Sequence, residues 1–296
     1  VKIRVIGGQK NKNSRLVKMK FRMIHHADQQ TIDEMYHDYS PVFVLSTGRS
    51  GSKLIVNLFN LSDNVTALHE PRPTLEYFSD YAFHHQQEEK ILSNMIDAAR
   101  MELVLEAFIK NQIYVESNQC LTFFAPVIAG LFKKSKFVHL VRHPGDFVRS
   151  ALRKGWHKND SIWESGRVKM KDKNQWAQLD QIERLSWLWM TTNQFIEDFK
   201  TQVHKSRVFT LKFEDLVEKK KTIKKSLEFI GSHHIAAEKI EQIQRTKINE
   251  LHIHPNEPST MKKVENFPHY SQWDDEMKNK LKKYGKKLGL LYNYDI

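Results

Sequence analysis

Short apolar runs separated by longer stretches of helical spacing set the pattern of this chain. Val42 to Leu45, bounded by Pro41 and by Thr47-Gly48, predicts a short strand buried on both faces. Ile55 to Leu61 follows with the apolar spacing of a helix. Val65 to Leu68, Gln112 to Glu116, Lys136 to Val141 and Val208 to Phe213 repeat the strand signature. Between them, Leu75 to Asn111 reads as two helices, with Ile91, Met95, Ala98, Glu102 and Leu105 at regular spacing. Further helices are predicted up to Leu131, over Leu179 to Phe199, from Glu214 to Ile230, and over Trp273 to Leu288, which has a Lys-rich face. Strand and helix in alternation predict an α/β fold of three layers: a central parallel sheet flanked by helices, with loops at the carboxyl ends of its strands forming the site. Residues 1–37 stand apart as a basic extension. There Val17, Met19, Phe21 and Met23 alternate with Lys18, Lys20 and Arg22, predicting a hairpin, and Ala27 to Tyr39 is partly helical. Residues 249–272, rich in Pro, Asn and His, form a long loop.

Composition narrows the function classes. At 296 residues, 40% hydrophobic and 11% aromatic, the chain builds one sizeable core and one principal domain. A formal charge of +12 and a pI near 9.5 favour anionic partners. The single cysteine, Cys120, makes an intrachain disulfide framework impossible, and its sulfur reads as core filling. No apolar run approaches the roughly 18 residues of a membrane span, so a cytoplasmic setting is expected; a chain starting with Val leaves a preceding leader or anchor open. The pairs His25-His26, His84-His85 and His233-His234 join no Cys or carboxylate at ligand spacing, so no metal is expected.

The chemistry concentrates at Pro41 to Leu54. After the first strand come Thr47, Gly48, Arg49, Ser50, Gly51, Ser52 and Lys53. The two glycines let backbone N–H groups turn inward, and the helix that follows adds its unpaired amides and partial positive charge. Arg49 and Lys53 contribute full charges, Ser50 and Ser52 hydroxyls. The loop suits an anion with several oxygens. It departs from the nucleoside-triphosphate loop, which has four residues between its glycines and Lys directly after the second; here two intervene and Lys53 comes one position late. A second cationic strand end follows Lys136 to Val141, where Arg142-His143-Pro144-Gly145-Asp146 opens a helix containing Arg149 and Ser150.

The first loop resembles the sulfonucleotide-binding loop of sulfotransferases, in the R-S-G-S form of carbohydrate sulfotransferases and bacterial relatives. Arg142, and Ser150 eight residues later, resemble the pair that holds the 3'-phosphate of the donor 3'-phosphoadenosine 5'-phosphosulfate (PAPS) in that family. The resemblance covers roughly residues 38–292. It implies a sulfotransferase in which Arg49, Lys53 and loop amides meet the 5'-phosphate of the leaving adenosine 3',5'-bisphosphate, with no metal. It also implies a donor-binding Lys upstream of Trp273, matched loosely by Lys262 and Lys263, and a Glu-Pro pair after the second strand, matched by Glu70-Pro71. Glu70 is thereby the expected base, with His69 and Glu116 as alternatives. Cytosolic aryl and steroid sulfotransferases carry Lys at the position of Arg49 and a K-T-H segment where this chain has Val115-Glu116-Ser117-Asn118. That departure favours a hydroxyl on a carbohydrate, lipid or natural product.

Residues 155–178, which include Trp156, Trp163 and Trp176, are expected to cover the acceptor site, since indole faces stack on flat apolar surfaces. The loop at 249–272 is expected to cover the donor. Trp187 and Trp189 lie in a helical stretch and read as core. Two other readings compete: a P-loop kinase, which needs a proper Walker Lys-Ser/Thr and an acidic magnesium ligand, and a non-enzymatic nucleic-acid binder, which needs aromatics interleaved with Arg across a surface. The basic residues gather at two strand ends instead, so no nucleic acid is expected.

Overall fold

The structure is a computed structural model and describes residues 27–158, 164, 166–232, 235, 238–240 and 267–296. The expected N-terminal hairpin, Trp163 and Lys262 lie outside the described residues.

Five strands, β1 (Val42–Leu45), β2 (Val65–His69), β3 (Ile113–Ser117), β4 (Lys136–Val141) and β5 (Val208–Lys212), form one sheet in the order β2-β3-β1-β4-β5. Every pairing is parallel: Val42 stands opposite Val115 on one side and Lys136 on the other, while β2 and β5 close the edges. All four residues of β1 are buried, as a central parallel strand requires.

Alternation sorts the side chains into two cores. Phe43, Leu45, Tyr114, Phe137 and Val141 face one side, where they meet helices α1 (Gln29–His37), α4 (Glu89–Ile109), α5 (Ala125–Leu131), α6 (Pro144–Leu152), α8 (Gln181–Lys200) and α11 (Asp275–Leu291). Val42, Val44, Val115, Val138 and Leu140 face the other, under α2 (Ser52–Phe59), α9 (Phe213–Glu218) and α10 (Lys220–Ile230). Two short helices, α3 (Ser79–His84) and α7 (Lys173–Gln178), sit in the connections. Trp189 is fully buried and Trp187 nearly so, the core role their helical spacing predicts. The Trp189 indole also donates to the carbonyl of Arg142 at 3.0 Å. On α11 the lysines at 282, 283, 286 and 287 are exposed while Leu281 and Leu288 are buried, giving the solvated basic face. Among the described residues no helix is long and apolar enough to cross a membrane.

Strand order decides where chemistry gathers. β1 lies between β3 and β4, so the loops leaving the carboxyl ends of all three converge, and the crossovers depart to opposite faces at that point.

Candidate active site

The loop from β1 to α2 takes its shape from three left-handed residues, Gly48 (φ 73°), Arg49 (φ 53°) and Gly51 (φ 95°). Both glycines are also required by space. A Cβ on Gly48 would lie 1.4 Å from the Gln119 amide oxygen, and one on Gly51 would lie 2.5 Å from the Phe213 ring. Gly51 is the N-cap of α2 and offers no side-chain cap, so the first-turn amides are left for a ligand. The hydroxyls behave differently from expectation. Ser50 is fully buried and donates to the carbonyl of Gly48 at 3.0 Å, with Thr47 donating to the same oxygen at 2.9 Å. Ser52 Oγ pairs with His69 Nε2 at 3.0 Å. These hydroxyls bond within the loop and to β2, and so set the loop's conformation.

The second motif comes to the first across the β1–β4 pairing. Arg142 Nη1 donates to the carbonyl of Arg49 at 2.9 Å, and Arg49 Nε donates to Ser150 Oγ at 3.1 Å. The Arg142 guanidinium lies over the Phe213 ring, 4.4 Å from its centroid, and its Nε is buried without a partner. Two cations are thus held side by side. Burial first, and then the neighbouring Arg142, lowers the Arg49 pKa from its ordinary value. Burial lowers that of Arg142, against the opposing pull of Asp146 and Glu214. Like charges gathered with a spare buried donor make an anion site. Lys53, in the first turn of α2, is exposed.

The acid segment Glu214-Asp215 proves structural at its first residue: Glu214 Oε1 accepts from the His143 amide at 3.0 Å and Oε2 from the Tyr294 hydroxyl at 2.7 Å. It thereby fixes the turn after Arg142. Tyr270 packs so closely on the same turn that a Cβ on Gly145 would lie 2.4 Å from its ring.

Beyond β2 the chain turns sharply. Glu70 is left-handed (φ 47°), a conformation uncommon outside glycine and often found where a functional side chain is aimed. Its amide donates to the Ser117 carbonyl at 3.1 Å. Glu70 lines a cavity of about 100 Å³ that it shares with Thr47 of the first loop, Gln119 and Cys120 after β3, Arg167 and Val168, and Leu188 and Thr192 of α8. His69 Nδ1 lies 3.9 Å from a Glu70 oxygen, so the imidazole stands between Ser52 and Glu70. Burial lowers its pKa, Glu70 opposing and Lys53 and Arg49 assisting; the ring is neutral at pH 7.

Glu116, one of the alternative bases, is spent elsewhere. It is 1% exposed, and Arg100 holds both its oxygens, Nε on Oε2 at 2.6 Å and Nη2 on Oε1 at 2.8 Å. Tyr114 and Asn118 donate to the same carboxylate. A carboxylate with every lone-pair direction engaged holds structure and accepts no substrate proton.

Of the described residues in the segment rich in tryptophan, Gly166, Arg167 and Val168 line the cavity and Trp156 does not. Trp156 is buried against Phe147, and the Arg167 guanidinium covers its ring at 3.7 Å. Arg167 in turn is paired with Glu164 at 2.7 Å. Cys120 lies in the cavity wall, and desolvation pushes its thiol up to about 12, an inert neutral group. Gln119, Phe213 and Thr192 escaped sequence reading because each carries an ordinary residue type in an ordinary helical or turn position.

Residues 41–234 match the family model described as Sulfotransferase family. The chain belongs to the sulfotransferase family. Its fold is that of other sulfotransferases: it is similar to the sulfotransferase domain from the curacin biosynthetic pathway, with a TM-score of 0.55 and 16% identity over 87% of this chain and 99% of that one. The sulfotransferase domain of the Synechococcus PCC 7002 olefin synthase matches with a TM-score of 0.49 and 18% identity over 87% and 97% of the two chains. A mouse sulfotransferase complexed with PAP matches with a TM-score of 0.47 and 11% identity over 91% and 94%. No curated protein matches the sequence. For this sulfotransferase, membership implies a sulfonucleotide donor and an acceptor substrate. Among the described residues no group of three or more His, Cys, Asp or Glu is arranged to hold a metal ion.

Proposed function

We propose that this sulfotransferase moves the sulfo group of PAPS to a hydroxyl of a carbohydrate, lipid or natural-product acceptor, with Glu70 as general base. The observation that carries the donor assignment is the buried, unpartnered Nε of Arg142, fixed beside Arg49 and Ser150 by the hydrogen bond to the loop carbonyl. A buried guanidinium donor without an acceptor is destabilising unless an anion completes it. A 3'-phosphate fits that place, and a 5'-phosphate fits the amides of Ser50 to Ser52 with Arg49 and Lys53.

The chemistry then follows from what these side chains supply. Glu70 takes the proton of the acceptor hydroxyl as its oxygen bonds to sulfur. The S–O bond to the 5'-phosphate breaks, and Arg49 and Lys53 stabilise the charge gathered on that oxygen while adenosine 3',5'-bisphosphate leaves. His69 positions: its contacts with Ser52 and Glu70 link the donor loop to the base. We take the catalytic domain to span 38–292 and residues 155–178 to border the acceptor; the donor contact expected of Lys262 lies outside the described residues.

Isothermal titration with adenosine 3',5'-bisphosphate, beside ATP with magnesium, tests the donor site. Metal-independent binding of the bisphosphate that is lost in Arg142→Ala supports the assignment; binding of ATP with magnesium and indifference to the bisphosphate overturns it.

A further inference from the structure

The turn that leaves β3 is clamped to the end of β1. It runs over Gln119–Phe124 as a 3-10 helix, and Asn118 caps it by accepting from the Cys120 amide at 3.0 Å. Further along, Thr122 Oγ1 donates to the Ser46 carbonyl at 2.9 Å and accepts from the Ser46 amide at 3.1 Å. Ser46 stands directly before Thr47-Gly48, so the turn and the first loop are held as one unit. The same turn lays the Gln119 side chain on Gly48. Its amide oxygen is 1.4 Å, and its amide carbon 2.6 Å, from the point that a Cβ on Gly48 would occupy.

Gln119 is half-buried and lines the cavity together with Thr47 and Glu70. It therefore stands between the loop and the carboxylate. Neighbouring polar side chains on this turn are engaged: Asn118 donates to Glu116 and to the Thr74 carbonyl, and Thr122 bonds Ser46 in both directions. No group among the described residues bonds the Gln119 side-chain amide. A methionine would fill the space on Gly48 as well; the amide adds two N–H donors and an acceptor that the protein does not use. With the 5'-phosphate on the loop and the acceptor hydroxyl at Glu70, the group in transit crosses the space between them, which Gln119 borders. We infer that Gln119 is a further donor-binding residue whose side-chain amide donates to an oxygen of the sulfo group. The contact suits the reaction. Sulfur exchanges one bridging oxygen for another, the bond to the 5'-phosphate breaking as that to the acceptor forms and Glu70 taking the proton. The other oxygens stay on sulfur throughout, so a fixed donor can hold one of them from start to finish. The inference rests on the proposed function for the places of the 5'-phosphate and the base.

The test compares PAPS with adenosine 3',5'-bisphosphate by isothermal titration of the full chain without acceptor. The two nucleotides differ by the sulfo group alone. Gln119→Met keeps the packing on Gly48 and removes the amide. Its affinity for PAPS is expected to fall about tenfold, the worth of a hydrogen bond to a charged group, while its affinity for the bisphosphate stays that of the wild type, which also shows that the variant is folded. An equal loss for both nucleotides overturns the inference, because Gln119 then only shapes the loop. Unchanged binding of PAPS overturns it as well, and leaves the donor site standing. A wild type that binds neither nucleotide overturns the proposed function, and the inference falls with it.

Discussion

Arg142 reaches across the sheet to hold the main-chain oxygen of Arg49 at 2.9 Å, so the cation that ends β4 also braces the loop that ends β1. Arg142→Ala removes both the brace and a charged donor. A charge-assisted hydrogen bond contributes about 1.5–3 kcal/mol, so affinity for adenosine 3',5'-bisphosphate should fall by roughly 10- to 100-fold in a titration. Lysine at the same position cannot reproduce the planar fork and should recover only part. Unchanged affinity in the alanine variant would remove Arg142 from the donor site.

Gly48 tests the shape of the loop separately from its charge. Alanine there meets the Gln119 side chain and a left-handed backbone at once. Gly48→Ala should weaken bisphosphate binding by at least about tenfold, since a strained φ costs on the order of 1–3 kcal/mol. Gly48→Ala combined with Gln119→Ala should recover the steric share and leave the backbone share, which a double-mutant comparison of the titrations separates.

Glu70→Gln keeps the shape of the side chain and removes its basicity. Turnover of PAPS should fall by about 10²- to 10⁴-fold with bisphosphate affinity intact. If Glu70→Gln stays active while His69→Ala is dead, the base is His69.

Glu197 on α8 gives a pH prediction independent of catalysis. Burial alone would raise its carboxyl, but His139, Lys200 and Tyr292 around it hold it down to about 2, from an ordinary 4.5. The unfolded chain therefore takes up this proton first as pH falls. The stabilisation is complete above about 4.5 and is lost progressively toward 2. Glu197→Gln should melt below the wild type at neutral pH, and the gap in melting temperature should narrow as pH falls from about 4.5 toward 2. A gap independent of pH would mean that the carboxylate charge contributes nothing.

The sheet was legible because every strand is a short apolar run between turn residues, and the two cationic strand-end segments were legible because glycine and arginine there stand at spacings that few other structures need. Ser150 and Arg142 are separated from the first loop by about a hundred positions, yet strand adjacency brings them together. What escaped reading depends on tertiary packing alone. Glu116 carries the residue type of a base at a strand end, and only the buried Arg100 reveals that it is occupied. Trp156 reads in sequence as a stacking surface, and only the packing of the Arg167 guanidinium over its ring shows that face to be covered. Gln119 gives no sign in sequence, because its contact with Gly48 is a property of its surroundings.

Arg100 carries a consequence of its own. Besides gripping Glu116, its Nη1 donates to the Pro73 carbonyl at 2.8 Å, and Asn118, bonded to Glu116, donates to the Thr74 carbonyl at 3.1 Å. The turn bearing Glu70 therefore hangs from a residue in the middle of α4 that lies outside the cavity wall. If Glu70 is the base as proposed, inherited or engineered changes at Arg100 would present as enzymes with that base displaced: donor binding kept, turnover poor, and the fault traced to an amino acid outside the cavity wall.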